Sequence, residues 1–258
     1  MGWGSTRPPP GTPLNRSLPF VQSLVGCWPF TEHGGLTAID ATGGPLDGRL
    51  TNATDTPFGY NFTSSGFFTA PSHPKYDGNF GTVSFWMQTS QSANFIHLFS
   101  RMDSSFLNGF VCFIDSTSSA VRCQCAKSSG SAILDCTGTI NVRDGKRHHI
   151  ALSFDRTLNG KVQIYVDGKL DASGINTAVW SFTGTEVRMG KGLDSFLVSL
   201  NGVMDFPLWS SSILTAQDVL RLRDDPYFIF TKPKRKVRGV ATAGSTFNPF
   251  KQGFFAFT

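Results

Sequence analysis

Between Val21 and Tyr227 apolar and polar positions alternate in short runs separated by turn residues. The period of two predicts half-buried β-strands. In Thr82-Val-Ser-Phe-Trp-Met-Gln88, Val83, Phe85 and Met87 fall on one face, and Trp86 and Gln88 on the other. Segments 110–116, 120–127 and 132–139 predict a meander turning at 117–119 and 128–130. Segments 146–155 and 161–167 predict a further pair joined through Leu158-Asn-Gly160. In the second of these, Val162, Ile164 and Val166 alternate with Gln163, Tyr165 and Asp167. Such a series predicts an all-β protein, an antiparallel sandwich or barrel. One segment departs from the pattern. Thr215-Ala-Gln-Asp218 has capping-box spacing before Val219 and Leu220, and Asp225-Pro226 ends the helix it opens.

The two ends differ from the middle. Residues 1–20 are rich in Pro, Gly and polar side chains and predict an extended arm. After Phe230 a basic run of Lys232, Lys234, Arg235, Lys236 and Arg238 leads to Phe247, Phe250, Phe254, Phe255 and Phe257. The partition is an arm over 1–20, one domain over 21–230 and a second arm over 231–258.

Composition then narrows the classes. The formal charge is +5. The five cations of the basic run account for it, so the body is neutral and a broad nucleic-acid surface is not expected. Apolar stretches such as 110–114 fall far short of the ~20 residues of a membrane-spanning helix. The start of the chain lacks the apolar core of a signal peptide. Only Glu32 and Glu186 are glutamates, which leaves almost nothing for chemistry by paired glutamates. Cys27, Cys112, Cys123, Cys125 and Cys136 make an odd number in a long chain, unlike a small disulfide scaffold.

Asp144-Gly-Lys-Arg-His-His-Ile-Ala-Leu-Ser-Phe-Asp155 resembles the laminin-G-like branch of the concanavalin A-like lectin/glucanase superfamily. Segments 82–87, 164–169 and 201–210, with the helix from Thr215, resemble further parts of that family in the same order, as does the opening 25–30 with Asp40 and Asp47. The resemblance covers about residues 21–230 and implies a two-sheet antiparallel jelly roll with one short C-terminal helix. Members bind glycans, bind proteins, hydrolyse polysaccharides or build assemblies, so the fold does not choose among functions. Arg147 stands where a Trp usually precedes the His pair, and Phe206 where an acid often follows Asp205. No cofactor is expected; calcium near Asp205 is left open without a motif for it.

The candidate sites follow from strand parity. The family's hydrolases carry Glu-x-Asp-x-x-Glu on one strand face, and no such stretch exists here. Asp103, Asp115, Asp135 and Asp155 fall near predicted strand ends, where aspartates make turns, so no catalytic residue is expected. His148 shares a face with Ile150, Leu152 and Phe154 and is expected in the core, with His149 on the opposite side. Cys112 is expected to face Cys123, with Cys136 near Cys123 or Cys125. They would form buried thiols, cross-strand disulfides or a Cys₄ zinc site.

Trp86, Gln88, Arg122, Gln124, Arg147, His149, Gln163 and Tyr165 lie opposite the apolar positions of their strands and form the glycan-binding candidate. The plain alternative is an ordinary polar outer face with Trp86 under a loop. The Phe-rich tail suits an extended segment laid into a neighbour's groove, or one folded back on its own domain. With its basic linker, the chain looks like virion proteins of tailed phages: decoration, fibre or tail components. The expectation is a non-enzymatic virion protein, made in the host cytoplasm and anchored by its arms to other virion proteins or copies of itself. Host glycans are a further partner, and no membrane or specific nucleic acid is. A free-standing lectin is the alternative, and a glycoside hydrolase the third reading.

Overall fold

The computed structural model describes residues 7–103, 108–126, 132–182, 186–193 and 196–231. The early strands are β1 (Leu24–Cys27), β2 (Thr37–Ala38), β3 (Gly48–Thr56), β4 (Gly59–Ala70) and β5 (Phe80–Gln88). The middle ones are β6 (Ile96–Arg101), β7 (Gly109–Ile114), β8 (Val121–Ala126), β9 (Ala132–Thr137) and β10 (Arg147–Asp155). The last are β11 (Lys161–Val166), β12 (Lys169–Ile175), β13 (Val187–Met189) and β14 (Gly202–Ser210). Helix α1 (Pro19–Gln22) is a single turn and α2 (Ala216–Asp224) is the longer helix.

Every strand pair that closes the sandwich is antiparallel, and the hydrogen-bonded order is β12-β11-β10-β5-β14-β4-β13-β6-β7-β8-β9. The long strand β4 belongs to both layers. Its start pairs with β14 (Tyr60 opposite Met204) and its end with β13 (Ala70 opposite Val187). The first sheet is therefore β12-β11-β10-β5-β14 with β1 on its edge, and the second is β13-β6-β7-β8-β9. They close at their far strands. Gly174 of β12 lies against Leu134 and Cys136 of β9, and Asp171 accepts from the Thr139 backbone N–H.

The core between the sheets collects the inward parity of both. Val83, Phe85, Ile150, Leu152, Phe154 and Ile164 come from the first sheet, and Leu98, Phe110, Cys112, Ile114, Cys123 and Cys125 from the second. Gly81 is required by packing, since the Phe154 ring occupies the place of its Cβ. The hairpin β11–β12 turns on Asp167 (φ 50°) and Gly168 (φ 78°), the two positive φ values of a type I′ turn.

The strands predicted from alternation agree with the observed ones, as does α2. Its capping box is complete. Asp218 N–H donates to Thr215 Oγ1 (3.1 Å), and Thr215 N–H donates to Asp218 Oδ2 (3.2 Å). The described part of the N-terminal arm is not a free extension. Asn15 N–H donates to the Ile229 carbonyl and Thr231 N–H to the Pro13 carbonyl, which clamps the arm to the end of the domain.

Candidate functional site

Each sheet has an outward face, and the two are built differently. On the first sheet, Trp86, Ala151, Tyr165, Phe206 and Leu208 point outward. They meet Leu14, Val21 and Leu24 of the N-terminal segment, Val219 and Leu222 of α2, and Tyr227, Ile229 and Phe230 beyond it. This is a second apolar core. The apolar stripe of α2 needs an apolar partner, and the outward side chains of β5, β10, β11 and β14 supply one.

At one end of this core Asp205 is 2% exposed and binds two guanidiniums. Arg7 Nη2 lies 3.0 Å from Oδ1 and Arg147 Nη2 2.5 Å from Oδ2. Burial pushes the Asp205 carboxyl above the usual range, and the two arginines pull against it. Arg7 also donates to Tyr227 Oη and to the Phe30 carbonyl, so the arm reaches into the cluster. A carboxylate already held by two guanidiniums does not suit a divalent cation, so Asp205 does not fit calcium.

This arrangement corrects the placement of the glycan-binding candidate. Trp86 is 7% exposed, with the Arg147 guanidinium 5.3 Å from its ring centre and the His149 ring 5.1 Å away. His149 is 1% exposed and shares a hydrogen bond with Ser84 Oγ (2.7 Å); Tyr165 is buried too. Gln88 donates to the Gly145 carbonyl, and Gln163 accepts from Ser153. Arg122 and Gln124 lie on the other sheet. The eight residues therefore do not form one open face. Parity assigns these residues to outward faces, but the cover over Trp86, His149 and Tyr165 comes from segments more than fifty residues away in sequence.

Parity puts His148 opposite Met87 and His149 opposite Trp86, on the two faces, but His149, expected on an open face, is the more buried of the pair (1% against 7% exposed). His148 Nδ1 lies 2.8 Å from Asp167 Oδ2 and Nε2 3.0 Å from Asp144 Oδ1. The Asp167 carboxylate, followed by Asp144, raises its pKa above the ordinary value. Burial drives His149 down to about 3, so its ring is neutral. The register places Cys112 opposite Cys123 and Cys123 opposite Cys136. All five cysteines are buried free thiols. Burial pushes Cys136 up to about 11 and Cys123 and Cys125 well above the usual value, which makes them poor nucleophiles. Among the described residues no group of three or more His, Cys, Asp or Glu is arranged to hold a metal ion.

The outward face of the second sheet stays accessible on β8 and β9. Arg122 Nε donates to Asp135 Oδ1 (2.7 Å), Arg122 Nη1 to Asp115 Oδ1 (3.2 Å), and Gln124 Nε2 to Asp135 Oδ2 (2.9 Å). Asp135 sits within β9 rather than at a strand end, and parity turns it outward beside Arg122. Asp115 does cap a turn, accepting from the Thr117 and Ser118 N–H groups. The Arg122 guanidinium lies 5.6 Å from the Phe113 ring centre. From there an aromatic row continues through Phe95 (5.8 Å) to Phe196 (5.1 Å, stacked), and Phe196 is 62% exposed. Met102, Val111 and Leu197 pack beneath this row.

Parity gave Arg122 and Gln124 but not the aromatic row, because Phe95 and Phe196 come from loops. The residues expected to carry assembly, Lys232, Lys234, Arg235, Lys236, Arg238, Phe247, Phe250, Phe254, Phe255 and Phe257, lie outside the described residues.

Over residues 62–220 the sequence matches the laminin G profile of the concanavalin A-like lectin/glucanases superfamily. No curated protein matches the chain in sequence. Among solved structures, it is similar to domain 4 of a GH43 extracellular arabinanase from Geobacillus stearothermophilus in complex with arabinotriose. That match has TM-score 0.62 and 18% identity, and covers 78% of this chain and 98% of that one. The chain is similar to the Trypanosoma rangeli sialidase (TM-score 0.62, 17% identity, 82% of this chain and 34% of that one). The receptor-binding domain of botulinum neurotoxin D is similar as well (TM-score 0.62, 11% identity, 80% and 53%). The chain thus spans about a third of the sialidase and half of the toxin structure. At these identities the likeness is one of fold.

Proposed function

The chain belongs to the concanavalin A-like lectin/glucanases superfamily, and from that premise we propose that it is a non-catalytic carbohydrate-binding module that takes glycans on the outward face of its second sheet. The observation that carries this reading is the Arg122–Asp135–Gln124 network beside the row Phe113, Phe95 and Phe196. A sugar offers paired hydroxyls and an apolar ring face. A guanidinium, a carboxylate and an amide fixed on adjacent strands supply donors and acceptors to the first, and an exposed aromatic ring supplies a stacking surface to the second. The side chains are already ordered by one another, so little rotamer freedom is lost on binding. The reading needs no cofactor. It does not use Asp115 or Asp135 as catalysts, since each carboxylate is bound to Arg122.

The fold likeness to a domain in complex with arabinotriose and to a sialidase selects the first probes, arabinotriose and sialylated oligosaccharides. Titration calorimetry of the full chain should show binding to a member of this set or of a wider glycan array. Arg122→Ala and Asp135→Ala should each remove it while the circular dichroism spectrum stays the same. Binding that survives both substitutions rejects this face as the site.

A second reading is favoured by one sequence observation, the basic run and five phenylalanines within 232–258. Under it the body is a subunit of an assembly of tailed-phage virion type, anchored through this segment. Light scattering of the full chain beside a version ending at Phe230 tests it: the anchor reading requires that only the full chain assembles.

A further inference from the structure

A cavity of about 210 Å³ opens where the described chain ends. Its walls include Pro9 and Pro13 of the N-terminal arm, Ile39 and Ala41 of the loop after β2 begins, and Phe230 itself. Ile39 is 46% exposed although it lines an apolar cavity. The Leu14–Phe230 bridge and the Thr231 N–H bond to the Pro13 carbonyl fix the exit of the chain against this wall. Glu32 also lines the cavity. Its Oε1 accepts from the Ile39 N–H (3.1 Å), and its Oε2 is buried with no hydrogen-bond partner among the described residues.

We infer that this cavity is the docking site for the Phe-rich segment of the same chain, with a phenylalanine of residues 247–257 seated between Pro9, Pro13 and Ile39. Three observations point to that occupant. The cavity volume is of the order of one aromatic side chain. The basic run begins at Lys232, two residues past a wall residue, and its charge is opposite in sign to the Glu32 carboxylate of that wall. The first phenylalanine, Phe247, follows Phe230 by 17 residues, a tether short enough to hold the segment near its site at an effective concentration of about millimolar. Aromatic rings pack well on the flat faces of prolines, and the arm provides them. The inference does not rest on the glycan reading, and it places the tail on its own body, the alternative to anchoring a neighbour.

Hydrogen exchange on the full chain tests it, read by mass spectrometry over residues 29–43 and 239–258 at two protein concentrations. Both segments should exchange at least about tenfold slower than free peptide, the factor that about 1.4 kcal/mol of docking supplies. Ile39→Asp, at an exposed position, should release protection in 239–258. Replacing Phe247, Phe250, Phe254, Phe255 and Phe257 together by Ser should release it in 29–43 and leave β5 and β10 unchanged. A tail that exchanges at the free-peptide rate in the native chain overturns the inference. So does a tail indifferent to Ile39→Asp in protein whose β5 and β10 protection is intact. Protection that rises with concentration and accompanies a dimer mass also overturns it, since the occupant is then a second copy's tail.

Discussion

The two outward faces of this sandwich are made by the same rule and end differently. Both alternate with the inner core at a period of two. On the first sheet the outward residues include Trp86, Ala151, Tyr165, Phe206 and Leu208, apolar enough to recruit the stripe of α2 and the N-terminal arm. On the second, β8 and β9 turn out Arg122, Gln124 and Asp135, which satisfy one another and stay partly exposed with no covering apolar cluster among the described residues. The difference teaches that strand parity assigns residues to a face, whereas the polarity of that whole face, summed over neighbouring strands, decides whether it becomes core or surface.

The strongest way to break the comparison is to remove the centre of the covered face. Trp86→Ala should destabilise the fold by about 3–5 kcal/mol, the usual cost of deleting a buried aromatic, seen as a drop in the urea midpoint. Asp205→Ala should cost a similar ~3–5 kcal/mol, because Arg7 and Arg147 lose the buried carboxylate they share. If Trp86→Ala left stability unchanged and abolished sugar binding, the covered face would have to be an open site after all.

Next in size is acid sensitivity, which probes a buried imidazole under each face. His149 beneath the first and His97 on the second are both fully buried, and burial lowers each to about 3; Arg188 adds to the effect at His97, while at His149 Asp167 opposes it and Arg223 adds a smaller push. Their folded values lie below the ordinary 6.5, so the unfolded chain binds more protons between pH 6.5 and 3. Stability should therefore fall with acidity across that window, by roughly 1.4 kcal/mol per pH unit for each ring. His148 works in the opposite sense. Asp167 and Asp144 raise its pKa, so its contribution is full below 6.5 and is lost as pH rises through the raised value. Urea midpoints against pH should show a slope that His149→Gln and His97→Gln each reduce by about half. His148→Gln should leave that slope and remove a loss on the alkaline side.

Much of this fold was legible because its signals are local. The alternation of 82–88, 146–155 and 161–167 fixed three central strands and their parity, and Thr215 with Asp218 fixed the start of α2. The β3–β4 hairpin was not read as strands. Its run Asn61-Phe-Thr-Ser-Ser-Gly-Phe-Phe68 breaks the alternation, since β4 crosses from one sheet to the other and a register shift lies between Thr51 and Ala53. The site was legible only in part. Arg122 and Gln124 follow from strand parity, whereas Phe95 and Phe196 reach the face through loops, which no period marks. The cover over Trp86 was illegible for a different reason: Arg7, Leu14 and Tyr227 meet it only through tertiary packing.

A smaller effect sharpens how the cover is held. Thr215→Ala removes the hydroxyl that accepts the Asp218 N–H and should cost about 1 kcal/mol. The loss should be shared by the patch that α2 shields, so exchange at Tyr165 and Ala151 should rise with it while β7 and β8 keep their protection.

The smallest expected change in stability is the most telling. Arg122→Ala breaks ion pairs with Asp115 and Asp135 whose partners keep water and other donors. Partly exposed pairs of this kind are worth about 0–1 kcal/mol, so the urea midpoint should hardly move. Sugar binding should nonetheless be lost, because the guanidinium both donates to the ligand and orients Asp135. The same truncation on the covered face, Arg147→Ala, should give the reverse: a clear loss of stability through Asp205 and the Trp86 ring, and no effect on binding beyond that loss. Two arginines on adjacent layers, each bound to an aspartate and lying over an aromatic ring, then separate by cover alone.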